Sequence, residues 1–161
     1  MGQLWVLVIE DEAEVRDALV RDLDGFGPTV RVDAASDVDD AWAAVAEADA
    51  AGDRLGLVLA DHRLPGRTGV DFLVELDADP RHAAARKVLV TGQAGLEDTV
   101  RAVNDAGLDH YVAKPWDGEA LCQVVRDQLT DFVLAEFDDV LPFVAVLDGP
   151  RLLGSLGSRP S

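Results

Sequence analysis

A single cysteine, Cys122, stands among the 161 residues, which excludes an intramolecular disulfide and leaves nothing to suggest an oxidising compartment. Its setting, Leu121-Cys122-Gln123-Val124-Val125, is that of a small apolar filler on a helix. Long hydrophobic runs are also missing. The longest, Leu4 to Ile9 and Phe143 to Leu147, fall far short of a membrane span, and no basic stretch precedes an apolar leader at the N-terminus. A soluble, cytoplasmic protein is expected. Basic residues are scarce, 14 Lys and Arg against 31 Asp and Glu, for a formal net charge of -17. Such a surface repels phosphate backbones and anionic lipids, so neither direct nucleic-acid binding nor membrane binding is expected. Nucleotide binding has no motif either: Gly66-Arg67-Thr68-Gly69 is not a P-loop, and no G-x-G-x-x-G occurs. His62, His82 and His110 lack zinc-ligand spacing and thiol partners, which points each to a satisfied or solvent-facing role.

What is present is enough apolar residue, 48% of the chain, for one domain with a real core and an extra segment. Runs rich in Val and Leu at Leu4 to Ile9, Thr29 to Val32, Leu55 to Ala60, Lys87 to Thr91 and Tyr111 to Ala113 read as strands. Their continuous apolarity predicts a parallel sheet buried on both faces. Between them lie helical patterns. Val15, Leu19 and Leu23 precede Gly25; Val38, Trp42 and Val45 follow a cap at Ser36; Leu96, Val100 and Val103 precede Gly107. A third helix covers roughly Val70 to Leu76 and ends before Asp79-Pro80. The last starts near Gly118 and carries Leu121, Val125, Gln128 and Phe132 along one side, with a pattern continuing toward Phe137. Five β-α units emerge, an α/β doubly wound sheet.

In such a sheet ligands bind beyond the carboxyl ends of the strands. The first strand runs into Glu10-Asp11-Glu12, the third into Asp61, the fourth into Thr91 and the fifth into Lys114-Pro115. Clustered carboxylates repel one another unless a cation sits among them, and hard oxygen ligands suit octahedral Mg²⁺. With the metal on one side and Lys114 on the other, Asp61 could attack a phosphoryl group whose oxygens are held by metal, ammonium and the Thr91 hydroxyl, giving an aspartyl phosphate. Taken singly, each residue has an ordinary use. Asp11 could cap the next helix, Asp61 sit in a turn, Thr91 favour a strand and Lys114 be a solvated charge. The signal lies in the set, at successive strand ends in the right order.

Four motifs now carry a resemblance over about residues 3 to 131. They are Val6-Leu7-Val8-Ile9-Glu10-Asp11-Glu12, Leu59-Ala60-Asp61-His62-Arg63-Leu64-Pro65-Gly66-Arg67-Thr68-Gly69, Val90-Thr91-Gly92 and Tyr111-Val112-Ala113-Lys114-Pro115-Trp116. The chain resembles the receiver domains of bacterial two-component response regulators. The resemblance implies a flavodoxin-like five-stranded parallel sheet in the order 2-1-3-4-5. It implies Asp61 as phosphoacceptor from a sensor histidine kinase and Mg²⁺ as cofactor. Asp11 would be a direct metal ligand, Glu10 a ligand through water and Arg63 a ligand through its backbone carbonyl. Lys114 would pair with the phosphoryl group, with a cis peptide to Pro115. Thr91 and Tyr111 resemble the switch pair that remodels the face of helix four, strand five and helix five, while His62, Arg63 and Gln93 occupy positions that tune dephosphorylation. A switch from 1:99 to 99:1 needs about 5.5 kcal/mol, within reach of a few charge-assisted hydrogen bonds.

The resemblance makes residues 1–131 a receiver and 132–161 a C-terminal helical extension or linker, with a tail unstructured from about Gly154. On a lone extended helix Val133, Leu134, Phe137, Val140, Leu141 and Phe143 would be exposed, which suggests a homodimer. Output is assigned to another protein, a further domain or self-association. An Asp-nucleophile phosphatase is the enzymatic rival, but it needs a second Asp two residues after the nucleophile, and Arg63 stands there. The chain is therefore read as catalysing only its own phosphorylation and dephosphorylation. The other alternative is a receiver-like interaction scaffold that is never phosphorylated.

Overall fold

Side chains on a strand alternate between the two faces of its sheet, and β1 (Leu4–Ile9) buries both sets. Leu4, Val6 and Val8 enter one core, and Trp5, Leu7 and Ile9 enter the other. The computed structural model describes residues 2–92 and 95–157. Around β1 lie β2 (Val30–Ala35), β3 (Arg54–Ala60), β4 (Arg86–Val90) and β5 (His110–Val112), all parallel, in the order β2-β1-β3-β4-β5. The doubly wound α/β architecture and its strand order are those expected from the sequence.

Parallel neighbours require crossover connections, and the helices that make them cover both faces. α1 (Ala13–Asp22) and α5 (Gly118–Glu136) close the first core with Leu19, Leu121, Val125, Leu129 and Phe132. α2 (Val38–Ala51), α3 (Gly69–Ala78) and α4 (Leu96–Ala106) close the second. α2 is capped by Asp37, whose side chain accepts from the Asp40 N–H, and not by Ser36 as expected. Both residues are good caps, and Asp37 is the one positioned three residues ahead of an unbonded N–H. α3 carries a full capping box between Thr68 and Asp71 and ends at Asp79, ahead of Pro80.

The C-terminal segment departs furthest from expectation. After α5 the chain makes a 3-10 turn at Leu141–Phe143 and then α6 (Gly149–Leu156). Asp148 caps α6 by accepting from the Arg151 N–H, and Pro150 lies in its first turn, a combination that starts helices. Helix therefore runs through Gly154, where an unstructured tail was expected. α6 is fastened to α5 by the Asp148 N–H donating to the buried Thr130 hydroxyl at 3.1 Å and by Arg151 against Asp131 at 2.6 Å. Val133, Val140, Phe143, Leu147 and Leu152 all join the α1–α5 core. Of the residues thought to be exposed on a lone helix, Leu141 alone is exposed, so that ground for a homodimer falls away.

Candidate functional site

β1 and β3 pair in register to Ile9 and Ala60, so Glu10 and Asp61 leave the sheet side by side. The backbone keeps them there: the Asp61 N–H donates to Ile9 O at 2.9 Å, and the Glu10 N–H to Ala35 O at 3.0 Å. Thr91 follows β4 and donates its N–H to Val112 O, which ties it to β5 and to the Lys114 turn. Strand register alone thus gathers residues separated by up to 104 positions. Glycine completes the wall. A Cβ on Gly69 would lie 1.9 Å from the Asp61 carbonyl oxygen, so the first turn of α3 approaches the end of β3 only because residue 69 has no side chain.

The result is a cleft of about 550 Å³ lined by Asp11, Glu12, Val15, Asp61, Arg63, Thr91, Gly92, Lys114, Pro115 and Trp116. Glu10 is fully buried at its floor, Asp61 is buried and Asp11 is exposed at the mouth. Carboxylate oxygens of these three come within 4.8 Å of one another. Lys114 Nζ reaches both Glu10 Oε2 at 2.7 Å and Asp61 Oδ2 at 3.3 Å. Asp61 Oδ1 is buried with no hydrogen-bond partner among the described residues. Burial lifts the Glu10 carboxyl above its ordinary range, against the hydrogen bond from Lys114, and the neighbouring Asp61 charge lifts it further. Burial works to lower Lys114, but its hydrogen bond to Glu10 and the two carboxylate charges outweigh it and hold the ammonium above its ordinary value. One ammonium among three carboxylates leaves an excess of negative charge. A hard divalent cation fits that excess, with an orphaned Asp61 oxygen to bind it.

Of the residues singled out from the sequence, Glu10, Asp11, Asp61, Arg63, Thr91 and Lys114 meet at this cleft. Tyr111 stands one layer behind, half-buried, with its hydroxyl donating to the Thr91 carbonyl oxygen at 2.9 Å. His62 is buried, its Nε2 lying 3.1 Å from Asp98 Oδ2 of α4. Gln93 lies outside the described residues. The Lys114–Pro115 bond is cis, and so is Gly27–Pro28. His82 is satisfied, with Nδ1 2.8 Å from Asp79 and Nε2 3.0 Å from Asp49, and His110 is exposed.

Sequence reasoning missed three participants. Arg16 donates to Glu10 O at 3.0 Å from the first turns of α1, one turn beyond Glu12, a spacing that was there to be read. Trp116 forms part of the rim and is held by its indole N–H donating to Asp22 at 2.7 Å; it stood in a quoted motif without a role. Asp98 reaches the site through a tertiary contact that leaves no local signal.

A five-stranded parallel sheet in this order, with acids after β1 and β3 and a lysine after β5, defines the flavodoxin-like class of doubly wound folds. The chain belongs to the response regulator receiver domain family, whose model matches residues 6–126. It is 36% identical over 124 residues to the hydrogenase transcriptional regulatory protein HoxA of Cupriavidus necator, covering 77% of this chain and 24% of that protein. It is 29% identical over 126 residues to the phosphate regulon transcriptional regulatory protein PhoB of Escherichia coli, covering 75% and 49%. The chain thus spans between a quarter and a half of the length of these relatives. Among solved structures, a CheY-like receiver domain protein from Methanospirillum hungatei superposes with a TM-score of 0.70 at 24% identity, covering 81% of this chain and 97% of that one. Among the described residues no helix is long and apolar enough to cross a membrane.

Proposed function

We propose that Asp61 accepts a phosphoryl group from the phosphohistidine of a sensor kinase, with Mg²⁺ bound by Glu10, Asp11, Asp61 and the backbone carbonyl of Arg63. The observation that carries this reading is the Lys114 ammonium 3.3 Å from Asp61, opposite three carboxylates whose oxygens gather within 4.8 Å. When bound, Mg²⁺ would neutralise the carboxylates and draw charge from the phosphoryl oxygens. A carboxylate oxygen of Asp61 forms the new P–O bond while the P–N bond to the donor imidazole breaks and the imidazole leaves with its electron pair. Lys114 takes the growing charge on one phosphoryl oxygen and the Thr91 hydroxyl takes it on another. Arg63, beside the acceptor at the cleft wall, and His62 would set how fast water reaches the product.

The Tyr111 hydroxyl already rests on the Thr91 backbone, so a movement of Thr91 toward the phosphoryl group has a direct route to β5 and the adjoining faces of α4 and α5. That face would then meet an output protein, a further domain such as the longer relatives have room for, or a second copy. Borohydride reduces an acyl phosphate at its carbonyl carbon. Treating phosphodonor-incubated protein with it and sequencing the peptides is expected to mark Asp61. A mark on another residue would overturn the acceptor assignment, and no mark under any condition would favour the unphosphorylated scaffold.

A further inference from the structure

The apolar stripe that makes α4 recognisable as a helix faces outward. Leu96, Val100 and Val103 are 81%, 47% and 52% exposed, while the buried positions of α4 are Ala102 and Ala106. Two methyl groups bury little apolar area, so polar contacts carry much of the attachment of this helix. Two of them reach across to the acceptor side: Arg101 Nη1 lies 2.9 Å from Asp71 on α3, and Asp98 Oδ2 lies 3.1 Å from His62 Nε2. His62 is the chain neighbour of Asp61 and is itself buried, yet its Nδ1 is buried without a hydrogen-bond partner among the described residues. His82, by contrast, has both nitrogens occupied, between Asp79 and Asp49. His62 keeps one nitrogen unsatisfied and gives the other to α4.

We infer that the His62–Asp98 contact is a latch that holds α4 in the position it has with Asp61 unmodified, and that phosphorylation of Asp61 releases it. The inference rests on Asp61 being the acceptor. A phosphoryl group one residue from His62 adds negative charge and three strong acceptor oxygens, which compete with Asp98 for the imidazole and disfavour a second anion against the same ring. Release frees the first turn of α4, next to the Thr91 loop, while the Arg101–Asp71 pair remains as a pivot.

Hydrogen exchange of α4 amides and the rate of labelling by acetyl phosphate read the latch separately. Asp98→Ala is expected to speed exchange over residues 96–106 in the unphosphorylated protein by about tenfold, the equivalent of one lost hydrogen bond to a charged group, and to raise the labelling rate. Phosphorylated wild-type protein should show the same faster exchange. Wild-type exchange in Asp98→Ala, or unchanged exchange on phosphorylation, would refute the latch. Faster exchange in Asp98→Ala with no labelling of any variant would instead place the failure in the acceptor assignment and take the release step with it.

Discussion

At the scale of single residues, the cleft is built as much by what is absent from a position as by what occupies it. Gly69 is the sharpest instance, because the obstacle its Cβ would meet is the Asp61 backbone carbonyl and not a side chain that can swing away. Gly69→Ala is expected to cost about 2–3 kcal/mol in denaturant unfolding and to lower phosphorylation by displacing the acceptor loop. Stability equal to wild type would contradict the close approach. The charged residues were legible in the sequence because each follows an apolar run, and a parallel sheet sends the ends of its strands to one edge. Trp116 and Asp98 show the limit. Their parts depend on which neighbour each side chain meets across the cleft, and no strand or helix period encodes that.

At the scale of elements, the five strands and the first five helices were placed within a few residues because their patterns are strong, whereas α6 was not foreseen and the cap of α2 fell where two good signals competed. Ser36 and Asp37 are both caps, and β2 runs on to Ala35, past the end of its apolar run. α4 was found by its stripe of Leu96, Val100 and Val103, but a period says only that one face is apolar, not which way it turns. α3 illustrates how local and tertiary effects join. Asp71 closes the capping box and also binds Arg101 of α4. The backbone N–H of Thr68, followed by the Arg101 contact, holds its carboxyl below the ordinary value of 3.8. A carboxyl with a lowered folded value adds stability that is present above 3.8 and lost as pH falls through the folded value. Asp71→Ala should therefore lower stability by about 1 kcal/mol at neutral pH and flatten part of the acid-induced loss below pH 3.8, as measured by urea unfolding across a pH series. An acid limb identical to that of the parent protein would contradict this role.

At the scale of the whole molecule, the segment after residue 131 shares the core of the preceding fold. Its apolar residues were visible in the sequence, and Pro142 marked a stop to the helical pattern, but whether they faced solvent, a second copy or the same chain depended on the course of the chain through the turn at Leu141–Phe143, which a proline alone does not set. Asp148, Pro150 and the buried Thr130 hydroxyl then dock α6 on α5. Removing everything after Phe137 takes Val140, Phe143, Leu147 and Leu152 from the core and uncovers Phe132 and Val133. At roughly 1.5 kcal/mol or more for each buried apolar side chain, the loss should exceed about 4 kcal/mol, with hydrophobic-dye binding by the shortened chain. A shortened chain as stable as the whole would mean that the segment is only a linker. With these side chains buried, the large apolar residues left exposed among the described residues are Leu96, Val100 and Val103 on α4 and Leu141, Leu153 and Leu156 in the C-terminal segment.

Fold, cleft and charge converge on one claim, that Asp61 takes a phosphoryl group with the help of a divalent cation. Intact mass after incubation with acetyl phosphate, with and without Mg²⁺, on the wild-type protein and Asp61→Asn, tests it most directly. A single phosphate adduct that requires Mg²⁺ and is absent from Asp61→Asn is the predicted result; an adduct that persists in Asp61→Asn, or no adduct on the wild-type protein with Mg²⁺, would contradict it.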